Sequence, residues 1–160
     1  MISRLISHRG NISKPIPERE NKPSYIDAAI QLGYSVEVDL RVVNNKLWLG
    51  HDAPDTEVND RWLSERIDRL WVHCKNANAA KYLGEAAAGY QYFCHSADSF
   101  VLTSTGKLWV HDLSIPLGNH SIIPLITIQD IEQYSGPPAA GYCTDYISYA
   151  KHFLKEKGLL

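Results

Sequence analysis

Residues Ser35–Val43, SVEVDLRVV, decide the fold class, because apolar and charged side chains alternate there with the period of a β-strand. A turn-forming Asn-Asn pair follows, and Lys46–Leu49 is predicted to be the returning strand of a hairpin. Glu37 and Asp39 stand two positions apart, so both carboxylates project from the same face of the strand. The stretch therefore predicts a strand that carries two like charges among valines and leucines.

Apolar segments separated by polar turns continue outward from this stretch in both directions. The predicted strands are Leu5–His8, Ser35–Val43, Lys46–Leu49, Leu70–Lys75, Gln91–His95, Lys107–Asp112, Ile122–Thr127 and Gly141–Asp145. The predicted helices are Tyr25–Leu32 with Ser24 as N-cap, Asp60–Asp68, Ala77–Ala88 with Asn76 as N-cap, a short Ser96–Thr103, Ile128–Tyr134 and Ile147–Lys157.

The alternation of strands and helices predicts an α/β protein with a mostly parallel sheet. These strands would be enough to close a barrel, but typical eight-stranded (β/α) barrels need about 250 residues, so several crossover helices would have to shrink to loops. We therefore expect residues 1–160 to form a single domain, a compact and shortened (β/α) barrel.

Composition and charge exclude several classes of protein. The hydrophobic share of 44% and the charged share of 21% are typical of a soluble globular chain. Sixteen Lys+Arg against eighteen Asp+Glu give a net charge of −2, which disfavours non-specific binding to nucleic acid or to an anionic membrane. No apolar run approaches the roughly 18 residues of a membrane span. We expect neither a nucleic-acid partner nor a transmembrane segment.

The cysteines and the first residues indicate a compartment. Cys74, Cys94 and Cys143 form an odd and widely spaced set, which is typical of reduced thiols and not of a disulfide framework. The first eight residues lack the apolar centre of a signal peptide. These features predict a cytoplasmic protein.

Two histidines at the ends of predicted strands are candidates for chemistry. His8 is followed by Arg9, and an imidazole beside a guanidinium suits phosphate, which arginine contacts in a bidentate manner. His51 is followed by Asp52, and histidine exchanges protons near neutral pH. Each feature also has an ordinary interpretation: a strand-end histidine in both cases and, for the acidic strand, a solvated charged face.

Taken in order, the motifs resemble those of the glycerophosphodiester phosphodiesterase family. They are Ser7-His8-Arg9-Gly10, Glu20-Asn21, Glu37-Val38-Asp39 and Gly50-His51-Asp52, with Cys143-Thr144-Asp145 similar to the Thr-Asp that ends the last barrel strand of the family. The resemblance is dense over about residues 6–52 and returns at residues 141–145. It implies a TIM barrel and a metal-dependent hydrolase of lipid metabolism that acts on small-molecule glycerophosphodiesters or lysophospholipid-like esters.

The resemblance also implies roles for individual residues. His8 would be the general base and His51 the general acid, while Arg9 would contact the phosphate. Glu37 and Asp39 would bind a divalent metal, Mg²⁺ or Ca²⁺ in the family. Such a metal and the arginine would stabilise charge on the phosphoryl oxygens. Glu20 would lie near the entrance of the site.

The third strand departs from the family pattern of an acid, any residue, and lysine. Lys75 matches the lysine and is expected to reach the phosphate or to balance the carboxylates, but His73 stands where the acid is expected. A histidine ligand suits Mn²⁺, Zn²⁺ or Fe²⁺ better than Mg²⁺ or Ca²⁺. The metal preference has therefore shifted, or metal binding is weak or absent, or the register of this strand against the family pattern is displaced. The ordinary interpretation of His73 is a buried, hydrogen-bonded strand histidine.

Two other functions stay open on the sequence. The same histidine pair could release a cyclic phosphate, as in phospholipase-C-like or sphingomyelinase-D-like enzymes, or the domain could be a catalytically silent binder of phosphoesters or of a protein. His95, His111 and Trp109 are weaker candidates for contacts at the same site. The sequence sets neither the alcohol of the substrate nor the oligomeric state.

Overall fold

The computed structural model describes residues 4–86, 89–115 and 118–160. In these ranges the strands are β1 (Leu5–His8), β2 (Ser35–Val43), β3 (Lys46–Leu49), β4 (Thr56–Val58), β5 (Leu70–Cys74), β6 (Gln91–Phe93), β7 (Phe100–Leu102), β8 (Leu108–Val110), β9 (Ser121–Pro124) and β10 (Gly141–Thr144). The helices are α1 (Pro23–Gln31), α2 (Asp60–Ser64), α3 (Ala77–Glu85), α4 (Ile128–Gln133) and α5 (Ile147–Glu156). None of the described helices is long and apolar enough to cross a membrane.

The ten described strands form one mixed sheet that is mostly parallel, which confirms the α/β class. Its parallel series runs β6-β5-β2-β1-β10-β9-β8, while β3, β4 and β7 are attached in antiparallel hairpins. The series begins in the middle of the chain, passes through both ends and returns to the middle. This is the cyclic order that a (β/α) barrel has.

The sheet does not close, however, so the expected barrel is not shown. In the described parts of the chain, β6 and β8 end the parallel series and do not pair with each other. The turn after β7 instead bonds to β6, where the Ser104 amide donates to the Tyr92 carbonyl at 2.8 Å. The ring of Phe93 stacks on that of Trp109 across the opening, with centroids 4.2 Å apart. In the described residues, a backbone hydrogen bond from the β7–β8 turn and a ring contact thus link the two ends of the parallel series.

Most predicted elements are confirmed, and the β2–β3 hairpin is the clearest. Asn44 and Asn45 have φ values of 52° and 59°, the left-handed conformation that a tight hairpin turn requires. Helix α1, however, begins at Pro23 with Lys22 as N-cap and no side-chain cap, so the prediction of Ser24 as cap was wrong. The fixed φ of proline suits the first helical position, which moves the start of the helix.

The predicted helix over Ser96–Thr103 was wrong, because β7 occupies Phe100–Leu102. Its aromatic and β-branched residues suit a strand, and a turn with Gly106 at φ 79° folds the chain back onto β8. Strand β4, which extends the β2–β3 hairpin, was not predicted.

Other differences concern the ends of elements. Helix α2 ends at Ser64, four residues before its predicted end at Asp68. Hydrogen-bonded turns follow the helix and lead into β5, which begins at Leu70. Helix α3 ends at Glu85, and the predicted helical residues Ala87 and Ala88 lie outside the described residues. Strands β5, β6, β8, β9 and β10 are shorter than predicted by one to three residues.

One of the buried clusters positions the candidate site. It consists of Ile6, Trp71, Phe93, Trp109, Ile122 and Cys143, one residue from each of six parallel strands. Two positions further along five of these chain segments stand His8, His73, His95, His111 and Asp145. Because side chains two apart share a face, the apolar cluster forms the floor under a layer of titratable groups at the carboxyl ends of the strands.

Candidate active site

The titratable layer surrounds a cavity of about 180 Å³. It is lined by His8, Arg9, Glu37, His51, His73, Phe93, His95, Trp109, His111, Pro124, Ile126 and Cys143. The structure thus brings together both predicted catalytic histidines, the predicted phosphate-binding arginine and two of the three predicted metal ligands. Asp39 is fully buried beside the cavity, and the ammonium of Lys75 lies 3.8 Å from it.

Glu37, Asp39 and His73 form the one group in the described chain whose ligand atoms suit a metal ion, all within 4.8 Å of one another. Strands β2 and β5 pair in a register that sets Asp39 opposite His73. His73 Nδ1 lies 3.2 Å from Asp39 Oδ1 and 3.8 Å from Glu37 Oε1. The face that Glu37 and Asp39 share therefore acquires a nitrogen donor from the neighbouring strand.

The two carboxyl groups differ in their protonation. Burial, with repulsion from Asp39, raises the pKa of Glu37 to about 7. Burial also opposes ionisation of Asp39, but the His73 ring, the Arg9 guanidinium and other partners hold the pKa of that carboxyl well below its usual range. Asp39 is therefore the member of the pair that ionises first, and Glu37 is the one that keeps its proton towards neutrality.

Asp39 is held by the loop that follows β1. Asn21 donates from Nδ2 to Asp39 Oδ2 at 2.9 Å and accepts the Asp39 amide at the same distance. Arg9 Nε lies 3.0 Å from Asp39 Oδ2, and Arg9 Nη1 donates to Glu20 Oε2 at 3.2 Å. Arg9 and Asn21 both have left-handed φ, 54° and 57°, and the Asn21 amide donates to the Arg9 carbonyl. The His-Arg-Gly and Glu-Asn motifs thus build one support around the buried aspartate.

His8 is oriented by Asp145, which directly follows β10. The distance from His8 Nδ1 to Asp145 Oδ1 is 2.8 Å, and Asn11 donates to the same oxygen at 2.7 Å. Since a carboxylate only accepts, Nδ1 carries the proton and Nε2 faces Glu37, 3.9 Å away. Burial opposes the charge on His8, but Asp145 and Glu37 outweigh burial and raise its pKa.

His51 reaches the cavity from a loop after β3 that allows little variation. Gly50 has φ of 148°, and a Cβ there would lie 2.1 Å from the carbonyl oxygen of Ala53, so only glycine fits. Arg41 donates to the carbonyls of Gly50 and His51 at 3.2 and 2.6 Å. The exposed Asp52 lies 2.6 Å from His51 Nδ1. Like His8, His51 is thus held by a carboxylate at Nδ1.

The opposite side of the cavity is made of rings. His95 and His111 stack with centroids 3.5 Å apart, and His73 stacks on Phe93 at 4.8 Å. Burial and the neighbouring His95 lower the pKa of His111 to about 4, and burial and His73 lower that of His95. The weaker candidates His95, His111 and Trp109 therefore do lie at the same site.

The donor set fits a divalent cation. Glu37 Oε2 and Asp39 Oδ1 are buried and accept no hydrogen bond within the described residues. Their nitrogen neighbours include His8 Nε2, 3.9 Å from Glu37 Oε2, and His73 Nδ1, 3.2 Å from Asp39 Oδ1. Incompletely bonded carboxylate oxygens are costly to bury, and a cation would satisfy both at once. Two carboxylates and one imidazole favour Mn²⁺, Zn²⁺ or Fe²⁺ over Mg²⁺ or Ca²⁺.

Sequence reasoning missed two functional groups. Asp145 entered only as part of a motif, with no role assigned to it, and Asn11 was not considered. The signal for Asp145 was its place just beyond a buried strand, where the carboxyl ends of parallel strands meet. Nothing in the local pattern marks Asn11, which is buried by contacts with Asp145, Glu20 and the Ile16 amide.

Comparison of the chain with models of known protein families, with curated proteins and with solved structures finds no match in any of the three.

Proposed function

We propose that the protein is a metal-assisted phosphodiester hydrolase that acts on glycerophosphodiesters or lysophospholipid-like esters. The observation that carries the proposal is the cavity itself, which is lined by His8, Arg9, Glu37, His51 and His73. We also propose that the open, cyclically ordered sheet is a shortened form of the barrel of glycerophosphodiesterases.

The two histidines would divide the proton transfers between them. His8 Nε2, whose basicity Asp145 increases through Nδ1, would take the proton from the attacking hydroxyl or water. His51, held at Nδ1 by Asp52, would protonate the leaving alkoxide from Nε2. Each histidine thus has a carboxylate on the side away from its reacting nitrogen.

Charge on the phosphate would be met by the groups below the histidines. Glu37, Asp39 and His73 would hold the cation, which when bound neutralises the phosphoryl oxygens. Arg9 would contact the phosphate with the N–H groups that Asp39 and Glu20 leave free. Lys75 would serve chiefly to balance Asp39, and secondarily to reach the phosphate.

The test is hydrolysis of bis(p-nitrophenyl) phosphate after EDTA treatment, with Mg²⁺, Ca²⁺, Mn²⁺ or Zn²⁺ added back. We expect turnover to return with metal, most with Mn²⁺ or Zn²⁺, and to fall about 10²–10⁴-fold in His8→Ala and His51→Ala. His152→Ala is the matched control, because this exposed histidine on α5 pairs with Glu156, does not line the cavity and should leave turnover unchanged.

Two further measurements distinguish the alternatives. Phosphorus NMR of the products separates full hydrolysis from release of a cyclic phosphate. If glycerophosphocholine and lysophosphatidylcholine also remain intact with every metal, the hydrolase proposal is wrong. Calorimetric titration with Mn²⁺ then decides whether the site still binds a cation, which a silent phosphoester-binding domain has no reason to retain.

A further inference from the structure

Two cysteines meet at the carboxyl ends of β5 and β6. The parallel register of these strands pairs His73 with Phe93, so the next positions, Cys74 and Cys94, are neighbours. Neighbouring strands lie about 4.8 Å apart, within the Cα separation that a disulfide requires. Both side chains line a second cavity, of about 490 Å³, together with Lys75 and His95.

The environments of the two thiols differ. Cys74 is buried and Cys94 is exposed, while the third cysteine, Cys143, is buried on the inner face of β10 in the floor cluster. Cys94 is therefore the thiol that a solvent-borne reagent reaches first, and Cys74 is the partner placed to react with it.

We propose that Cys74 and Cys94 are a redox modification site that forms a reversible intramolecular disulfide with a small disulfide such as oxidised glutathione. The Cys94 thiolate attacks one sulfur of glutathione disulfide, and the first glutathione leaves as a thiolate. The Cys74 thiolate then attacks Cys94 Sγ and displaces the second glutathione. The cysteines lose two electrons and two protons, and two molecules of reduced glutathione are formed.

The bond would join two segments that carry groups of the candidate active site. Cys74 stands between His73 and Lys75, and Cys94 directly precedes His95. His73 Nε2 already lies 3.3 Å from the His95 carbonyl oxygen, so the two segments are in contact without the bond. Formation of the disulfide therefore needs no large movement of the chain.

The experiment treats the folded, reduced protein with oxidised glutathione and counts thiols after denaturation. We expect the count to fall from the three cysteines of the chain to one, with a mass lower by two hydrogen atoms and no glutathione attached. Peptide mapping of the same sample should recover Cys74 linked to Cys94. This readout uses the unaltered chain and does not depend on any hydrolase activity.

Variants test the order of events. Cys74→Ser should keep a glutathione on Cys94, Cys94→Ser should remain unmodified, and Cys143→Ala, the matched control, should form the disulfide like the unaltered protein. A glutathione adduct that persists on Cys94 in the unaltered protein would overturn the proposal. So would a disulfide that joins two molecules, or one that includes Cys143.

Discussion

The two sides of the cavity are built on opposite principles. The charged wall, formed by His8, Arg9, Glu37, Asp39 and His73 on β1, β2, β5 and the loop after β1, holds buried ionic groups within 4 Å of each other. The ring wall, formed by Phe93, His95, Trp109 and His111 at β6 and β8, holds stacked rings and two histidines whose pKa values are lowered.

The difference follows the continuity of the sheet. At the charged wall, β1 and β5 both pair with β2. The strands therefore hydrogen-bond to each other through their backbones, and side chains from adjacent strands meet in register. At the ring wall the sheet is open between β6 and β8, and the space is filled by apolar area. Buried charge needs close partners, and here the paired strands and the residues that directly follow them supply these partners.

The largest effect is expected from the centre of the charged wall. Asp39→Ala should lower the free energy of unfolding by about 3–5 kcal/mol, because Arg9 and Asn21 would lose their buried acceptor and Arg9 would keep only Glu20 as a charged partner. Urea denaturation in EDTA measures the loss. Asp98→Ala, at an exposed position beside the ring wall, should change stability by less than about 0.5 kcal/mol. A loss in Asp39→Ala as small as that in Asp98→Ala would show that the charged network does not stabilise the fold.

The pH dependence of stability should reveal the second acid of the charged wall. The pKa of Glu37 is raised from 4.5 to about 7, so the folded protein keeps a proton that the unfolded chain has lost. In EDTA, stability should therefore fall by roughly 3 kcal/mol as pH rises from 4.5 to 7. Glu37→Gln should remove this fall and the exposed Glu57→Gln should not; an unchanged pH profile in Glu37→Gln would contradict the assignment.

A smaller effect is expected at the ring wall. Phe93→Leu keeps an apolar side chain but loses the stacking on Trp109 and His73, and should cost about 1 kcal/mol. Thermal and urea denaturation both measure this cost. The control is Phe100→Leu, a half-exposed ring on β7, where we expect almost no change. If Phe93→Leu proved as neutral as its control, the rings would not be what holds the open side together.

The smallest effect concerns His111, whose pKa is lowered to about 4 by burial and by His95. Its contribution to stability is present above pH 6.5 and is lost as pH falls towards 4, opposite in sign to that of Glu37. NMR titration of the ring protons should show His111 neutral until about pH 4 and, in His95→Ala, a shift back towards its ordinary pKa. Titration of His111 above pH 6.5 would remove the contrast between the walls.

The charged wall was largely predictable from the sequence, and the ring wall was not. Alternation along β2 placed Glu37 and Asp39 on one face, and a strict period of two carries that information locally. That His73 faces both acids depends on the register of β5 against β2, which no local pattern encodes. The hydrogen bond between His8 and Asp145 joins residues 137 positions apart, and no local pattern indicates such a contact.

The ring wall depends on where the sheet opens, and that is a property of the whole chain. Strand β7 is only three residues long and lies among serine, aspartate and threonine, so its periodicity is too short to identify. Phe93 stacks on Trp109 at the place where the barrel expectation assumed that β6 and β8 pair. The absence of a β6–β8 pairing in the described residues could not be inferred from the local sequence of either strand.

The pairing of β1 with both β2 and β10 has a consequence for biosynthesis. Since a chain emerges from the ribosome N-terminal end first, β1 and β2 are available long before β10. Until β10 is synthesised, one edge of β1 has no neighbouring strand, and Asp145 is not yet available to bond to His8. Contacts of such sequence separation slow folding, so we expect His8 to be oriented only after residues 141–145 have been synthesised.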